Sequence, residues 1–133
     1  MTISPPLTLC AINSILKYEW RLPWLDFYFH RFNGYELIIA GSHDFSYYHN
    51  IEIIAQRPIK IQGNTEWSTG VELKFIKAIS TPDLTPTDPV RIMQFYSDDG
   101  LELTITAESF TYNLDTVFYY ARENLQPGER IAK

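Results

Sequence analysis

The densest group of reactive side chains in this sequence lies in the segment HDFSYYHN, which covers residues 43–50. It contains His43 and His49, two of the three histidines, together with Asp44. Imidazole and carboxylate groups bind zinc, and the same groups carry out general acid–base catalysis. The segment therefore raises two hypotheses, a metal site and a catalytic site.

A metal ion held by both His43 and His49 would require a tight loop between them. Zinc keeps its nitrogen ligands at about 2.0–2.1 Å, whereas six residues of regular strand separate two side chains by about 20 Å. His30, Asp44 and Glu52 remain as candidates for a third ligand, and none has a supporting motif such as H-E-x-x-H. We therefore predict no metal and no cofactor, and we place both histidines at the border of a strand.

Acid–base catalysis has little support from the same spacing. Neighbouring residues on a strand point to opposite faces, so Asp44 would not orient the His43 imidazole. The chain also lacks the nucleophile motifs G-x-S-x-G and S-x-x-K and the glycine and lysine spacing of a phosphate-binding loop. We therefore assign no catalytic residue and favour a protein that is not an enzyme.

Rings and imidazoles could instead line a cleft for a small ligand. His30 follows Tyr28 on the same face of a predicted strand, and Tyr47 lies between the two histidines of the segment described above. The alternative function is thus a small-ligand-binding protein or a hydrolase-like enzyme. Its candidate cleft residues are Tyr28, His30, His43, Tyr47 and His49.

The net charge of −5 comes from one part of the chain. Residues 1–82 carry seven acidic and seven basic side chains, whereas residues 83–123 carry eight acidic side chains against Arg91 and Arg122. Nucleic-acid binding needs a basic stripe, which this distribution does not offer, whereas an acidic surface attracts a basic partner. We therefore predict a protein partner of basic character and no nucleic acid.

Two groups of residues are candidates for contacting such a partner. The first is an acidic hairpin tip with the outward side chains of the strand that follows it. The second is the pair of tryptophans in WRLPW, residues 20–24, since tryptophan is enriched at binding hot spots. A solvated sheet surface and a lid over the core would explain the same residues without a partner. The candidates are Asp98, Asp99, Glu102, Thr104 and Glu108 in the first group and Trp20 and Trp24 in the second.

Two turns that contain glycine predict antiparallel hairpins. Asn33-Gly34 separates two ring-rich apolar runs, and a two-residue turn there pairs Arg31 with Glu36 and leaves both faces of the hairpin apolar. Asp99-Gly100 predicts a second hairpin whose inward residues are Leu101, Leu103, Ile105 and Ala107. Between the hairpins, NIEIIAQ and IKIQ predict strands bent at Pro58, VELKFIKAI predicts a longer strand, and STPDLTPTDP predicts a loop.

Each end of the chain has the pattern of a helix. Ser4 followed by two prolines is typical of an N-cap and first turn, and apolar residues then recur at helical spacing. Near the other end, Asp115 has the position of an N-cap, and Pro127-Gly128 would stop the helix. The apolar stripes are Leu9, Ile12 and Leu16 in the first helix and Val117, Phe118, Ala121 and Leu125 in the second.

The sequence therefore predicts one α+β domain over residues 1–133. Its mostly antiparallel sheet, a sandwich or a partly open barrel of about six to eight strands, is flanked by a short N-terminal helix and a C-terminal helix. The single cysteine, Cys10, which we expect to be buried and inert, suits a reducing compartment. No secretory signal or apolar stretch long enough for a bilayer is evident, so we expect a cytoplasmic protein without membrane contact.

These features favour a non-enzymatic protein-binding module, of which an inhibitor or immunity-type protein is one kind. The cleft described above supports the alternative, a small-ligand-binding protein or hydrolase-like enzyme. A structural subunit of a larger assembly is a third hypothesis, for which a broad exposed apolar patch would be the sign.

Overall fold

The computed structural model describes residues 4–132, which contain one helix and ten strands. The helix α1 spans Leu9–Lys17. The strands are β1 (Trp24–Phe32), β2 (Glu36–Ser42), β3 (Tyr48–His49), β4 (Ile51–Gly63), β5 (Glu66–Gly70), β6 (Ile76–Ala78), β7 (Ile92–Ser97), β8 (Gly100–Asn113), β9 (Thr116–Phe118) and β10 (Glu129–Ile131).

Seven strands form one antiparallel sheet in the order β5-β1-β2-β4-β8-β7-β6. The sheet curls into a half-barrel, and α1 contacts it at β6. The other three strands form a small sheet in the order β10-β9-β3, in which β10 runs parallel to β9. The predicted mostly antiparallel, partly open barrel is thus confirmed at this coarse level.

Aromatic rings fill the concave side of the half-barrel. Phe27, Phe75, Phe95 and Phe110 are at most 1% exposed, and Phe27 lies within 5.9 Å of Phe75 between ring centroids. The helix contributes its apolar stripe of Ala11, Ile12 and Ile15 to the same core. Part of the high aromatic content of the sequence thus lies in the core.

The small sheet covers the opposite face of the large sheet at β1, β2 and β4. On that face Ala40 and Glu52 are partners across β2 and β4, and both are buried. His49 and Val117, from β3 and β9, are buried as well. This second layer encloses polar side chains between the two sheets.

The hairpin at Asn33-Gly34 forms, but its register differs from the prediction. The Asn33 side chain accepts hydrogen bonds from the backbone N–H groups of Tyr35 and Glu36, at 3.0 and 2.9 Å, and so lengthens the turn. Arg31 consequently pairs with Ile38 and not with Glu36. The shift places Leu37 and Ile39 in the core of the half-barrel, where neither is exposed.

The second hairpin forms as well, but it turns one residue earlier than predicted. Ser97 pairs with Gly100, so the loop consists of Asp98 and Asp99, and Gly100 has a φ of +113° that suits glycine. A bulge follows, because Phe95 pairs with Leu103 and Tyr96 with Leu101. The prediction is right for Leu103, Ile105 and Ala107, which are buried, and wrong for Leu101, which is 53% exposed.

The predicted N-terminal helix exists but begins later than the prolines suggest. Thr8 is its N-cap, and its hydroxyl accepts a hydrogen bond from the N–H of Ala11 at 3.0 Å. Pro6 lies in an isolated bridge to Thr111 and not in the first turn as predicted with Ser4 as N-cap. Cys10 faces outward and is exposed, which contradicts the expected burial of its thiol.

The predicted C-terminal helix is wrong. Residues 116–118 form β9, and the residues from 119 to 128 form neither helix nor strand. Leu125, expected in the apolar stripe, is 40% exposed. Val117 and Phe118 are buried, but as strand residues. The segment is a strand because β3 and β10 supply hydrogen-bond partners on both sides of β9, and the local sequence does not reveal these partners.

The segment between the hairpins is partly as predicted. β4 is a single long strand with a bulge where Pro58 lies, and Arg57 there has a positive φ of 49°. VELKFIKAI contributes only the short strand β6, although Phe75 is buried. Over residues 4–132, no helix is long and apolar enough to cross a membrane.

Candidate functional site

A buried histidine–glutamate pair lies between the two sheets. His49 ends β3 and Glu52 belongs to β4, and Nε2 of His49 is 2.6 Å from Oε2 of Glu52. Neither residue is more than 3% exposed. A carboxylate only accepts hydrogen bonds, so Nε2 of His49 carries a proton and donates it to this contact.

Two further side chains complete the hydrogen bonding of Glu52. Asn113 donates to Oε1 at 2.9 Å, and Arg130 donates to the same oxygen at 2.5 Å. Burial favours the neutral acid and raises the pKa of Glu52, but the hydrogen bonds from His49 and Asn113 and the charge of Arg130 outweigh burial and lower the pKa to about 2. Glu52 is therefore ionised at neutral pH with both oxygens engaged.

On the other side of His49, a chain of hydroxyl groups leads toward solvent. Nδ1 of His49 lies 2.5 Å from the Tyr119 hydroxyl, which is 3.2 Å from the Tyr28 hydroxyl, which in turn is 2.8 Å from Nδ1 of His30. Burial and the hydrogen bond with Tyr28 raise the pKa of Tyr119, so its hydroxyl stays protonated. The hydroxyls thus connect the buried histidine to the half-buried His30.

The proton positions along this chain follow from the number of donors. If the His49 ring carries its only proton on Nε2, its Nδ1 accepts from Tyr119. For every contact in the chain to be a hydrogen bond, Tyr28 must then donate to Tyr119, and Nδ1 of His30 must donate to Tyr28. This arrangement leaves Nε2 of His30 as an acceptor in the neutral ring. Burial lowers the pKa of His30 and favours its neutral form.

His30 occupies an irregular position in β1. The pairing with β2 shifts between Phe29 and Arg31, so His30 is the extra residue of a β-bulge. Bulges break the alternation of side chains and re-aim one of them, often beside a functional site. Here the bulged residue borders an open groove with a volume of about 560 Å³. This surface, the His30 groove, is lined by His30, Arg31, Ile38, Glu52, Val117, Arg130, Ile131 and Ala132.

The structure brings together three of the five predicted cleft residues. Tyr28, His30 and His49 belong to one network, whereas Tyr47 is 57% exposed beside Tyr120. His43 also lies apart from the network, next to Trp24. The separation arises because residues 44–47 form a turn after β2, with Asp44 accepting backbone hydrogen bonds, so His43 and His49 reach different surroundings. Within residues 4–132, no three potential ligands are grouped as a metal site.

His43 is a buried histidine without polar partners. It is 6% exposed, and within the described chain neither ring nitrogen has a hydrogen-bond partner. Its ring meets Trp24 edge to face at a centroid distance of 5.7 Å. Burial, with a smaller contribution from Arg21, lowers the pKa of His43 and keeps the ring neutral.

Trp24 and Asp98, both predicted to contact a partner, line a second groove of about 440 Å³. Trp24 is 38% exposed there, and Asp26 accepts a hydrogen bond from the Ser68 hydroxyl at 2.5 Å. The curl of the sheet brings the Asp98 hairpin tip close to Gly70 at the end of β5. This surface, the Trp24 groove, is lined by Pro23, Trp24, Asp26, Ser68, Thr69, Gly70 and Asp98.

The other predicted partner-binding residues do not join that groove. Trp20 packs against Phe75, and its indole N–H donates to the carbonyl of Ile15 at 3.3 Å, so it behaves as a lid on the core. Asp99 lies in the hairpin loop, and Glu102 accepts hydrogen bonds from Ser97 and Asn64.

The expected acidic strip on β8 is interrupted by basic side chains. Thr104 is flanked by glutamines of the two neighbouring strands, and Lys60 pairs with Thr106 one step further. Glu108 lies 3.9 Å from Arg57 across a solvent-exposed ion pair. Strand pairing therefore mixes the charges on this face, which an acid count along one strand does not reveal.

Sequence reasoning missed most of the polar network. The sequence suggests Glu52 only as a metal ligand and gives no indication of Asn113, Tyr119 or Arg130. One signal was present: Glu52 is the only charged residue in the apolar run IEIIA, residues 51–55, and a charge on a strand buried on both faces requires a partner. The identity of that partner depended on the fold.

Comparison of the chain with protein-family models, with curated proteins and with solved structures gives no significant match.

Proposed function

We propose that this protein is a non-enzymatic binding protein that recognises a basic segment of another protein through the Trp24 groove. The observation that carries the proposal is the composition of that groove. Trp24 and the carboxylates of Asp26 and Asp98 line it, and no lysine or arginine occurs among its described lining residues. A lysine or arginine stem packs well on an indole ring while its charged head reaches a carboxylate.

An adjoining depression extends the same surface. It has a volume of about 480 Å³, shares Asp26 and Ser68 with the Trp24 groove, and adds Glu66 as a third carboxylate. Tyr28 and Phe45 supply further aromatic surface, with ring centroids 4.2 Å apart. Two adjoining acidic and aromatic depressions suit an extended segment with several basic residues better than a single side chain.

Inhibitor and immunity-type proteins, which neutralise a toxin or enzyme by covering its surface, are one class that would use such a groove. In this proposal the acidic groups steer a basic partner and speed its association, and the exposed Trp24 anchors the complex. The proposal moves the contact surface from the β8 strip to the outer side of β1 and β5, because the β8 face has mixed charges.

The probe for this proposal is a fluorescent peptide of alternating arginine and glycine, measured by anisotropy at two salt concentrations. We expect binding that weakens with salt and that falls by about tenfold or more in a double variant with Asp26→Asn and Asp98→Asn. Trp24→Ala should also weaken it.

A control double variant with Glu72→Gln and Glu108→Gln removes the same charge from exposed positions outside the groove. It should bind the peptide nearly as the original protein does. Equal losses in both double variants would show only a general attraction to net negative charge and would contradict the proposal.

A second candidate function is the binding of a small ligand in the His30 groove. One observation favours it: His30, Glu52 and Arg130 converge on an open groove, with His49 directly behind. A perturbation of the His30 and Ile131 NMR resonances by small molecules would support this function.

A further inference from the structure

We infer that the His30 groove selects small organic anions, with a carboxylate held by Arg31 and Arg130 and an apolar chain lying on the wall of the groove. This inference rests on the second candidate function and names its ligand class. It follows from the polar groups that remain unused in the groove and from the residues that line the rest.

The carboxylate oxygens in the groove are already engaged. Oε2 of Glu52 accepts from His49, and Oε1 accepts from both Asn113 and Arg130. A cation entering the groove would therefore have to break existing bonds of a buried carboxylate. Cationic ligands are disfavoured on this ground.

Donors, in contrast, remain available. Arg31 is exposed and takes part in no salt bridge within residues 4–132. Arg130 uses Nε for Asp115 and Nη2 for Glu52, which leaves Nη1, and its side chain is 43% exposed. Planar guanidinium groups bind carboxylates strongly, because two parallel hydrogen bonds can form.

The remaining wall of the groove is apolar. Ile38 from β2, Val117 from β9 and Ile131 from β10 line it, together with Ala132. Ile131 is 38% exposed, so a ligand chain would remove its surface from water. A bare inorganic anion would leave this wall unused, whereas an acid with an alkyl chain would cover it.

Binding of an anion in the groove is coupled to protonation of the His30 ring. The neutral ring attracts a carboxylate only weakly, whereas a ring that has taken up a proton from solvent is a cation and donates from both nitrogens. The groups that face His30 are Tyr28 and Arg31 on its own strand, His49, Glu52, Tyr119 and Arg130. Among them only Glu52 carries a negative charge, so a bound carboxylate would strongly favour the protonated ring.

The test uses octanoate, octylamine, 1-octanol and inorganic phosphate as probes, followed by calorimetry and by the NMR resonances of residues 130–132. We expect octanoate to bind most tightly of the four probes. It should bind more tightly at pH 6 than at pH 8, although its own carboxylate is ionised at both values. Arg31→Gln should weaken octanoate binding about tenfold, and His30→Gln should remove the pH dependence.

The matched control is Arg91→Gln, which removes an exposed arginine that does not line the groove. It should leave octanoate binding unchanged. If octylamine or octanol binds at residues 130–132 as tightly as octanoate, the groove binds ligands but the inferred class is wrong. Phosphate binding as tight as that of octanoate would overturn the role of the apolar wall. If none of the four probes perturbs the groove, small-ligand binding there fails as a function.

Discussion

Nε2 of His49 lies 2.6 Å from Oε2 of Glu52, and this contact joins the small sheet to the large one. Only Asn50 and Ile51 separate the two residues, and β3 ends at His49 while β4 begins at Ile51. The chain thus passes from one sheet to the other within a few residues, and the side chains on either side of this connection bind each other. Arg130 binds the same carboxylate from β10, so a single buried charge ties β3, β4 and β10 together.

Replacing Glu52 with glutamine should destabilise the fold. Glu52→Gln keeps the size of the side chain but removes the charge that Arg130 and His49 share, and we expect a loss of about 2 kcal/mol in the free energy of unfolding. Urea denaturation measures this loss. Glu108→Gln is the control, since its ion pair with Arg57 is exposed and should contribute less than about 0.5 kcal/mol. Equal effects of the two substitutions would contradict a structural role for the network.

The lowered pKa of Glu52 also predicts how the free energy of unfolding changes at low pH. The pKa of Glu52 is about 2 in the folded protein and 4.5 when unfolded, so the folded state binds fewer protons between these values. Its contribution, about 3 kcal/mol, is complete above pH 4.5 and is lost as the pH falls toward 2. Urea denaturation at several pH values should show this decline, and Glu52→Gln should flatten it. An unchanged slope in the variant would refute the assignment.

His43 predicts a second pH effect, at higher pH. Burial lowers its pKa below the value of 6.5, so the folded state disfavours the charged ring and stability should fall as the pH drops below about 6.5. His43→Phe retains a ring against Trp24 without ring nitrogens. We expect this variant to be at least as stable at pH 7 and to lose less stability between pH 7 and 5.

The pKa of His30 is also lowered, so His30→Gln should reduce the same pH slope by a separate amount. The double variant then tests whether the two effects add. Additivity is expected because His43 packs against Trp24 and lies outside the network of His30. A His43→Phe variant with the slope of the original protein would contradict the prediction.

The close packing around Gly41 predicts that a larger side chain at this position will destabilise the protein by steric clash. A Cβ atom at this position would lie 2.6 Å from Cγ2 of Ile51 and 2.8 Å from Cε1 of Phe27, and neither buried side chain can easily move. We therefore expect Gly41→Ala to destabilise the protein by about 1–3 kcal/mol in urea denaturation.

Gly70→Ala is the matched control, since the nearest atom to its Cβ would be Oδ1 of Asp98 at an ordinary contact distance of 3.5 Å. It should change stability by no more than about 0.5 kcal/mol. A Gly41→Ala variant as stable as Gly70→Ala would show that β2 and β4 adjust more readily than their close packing indicates.

Local sequence patterns were enough to locate the two hairpins, the first helix and the inward residues Leu103, Ile105 and Ala107. Alternation of apolar and polar residues and the turn preference of glycine act between neighbours, so they can be read without the fold. The exact register was not available in this way. The Asn33 side chain lengthens one turn, and bulges at His30 and Glu102 shift the pairing, each for a local hydrogen-bonding or geometric reason that composition does not specify.

Tertiary structure decided whether residues 115–125 became helix or strand and which polar groups meet. The stripe of Val117 and Phe118 suits either state, and the hydrogen bonds that made it a strand come from β3, which is distant in sequence, and from β10, which follows a loop of ten residues. Glu52 and Arg130 likewise come from separate strands and meet only because the small sheet closes over the large one. A charged residue within an apolar strand predicts a buried charge that requires hydrogen-bond partners. Which residues become those partners is determined only by the packing of the two sheets.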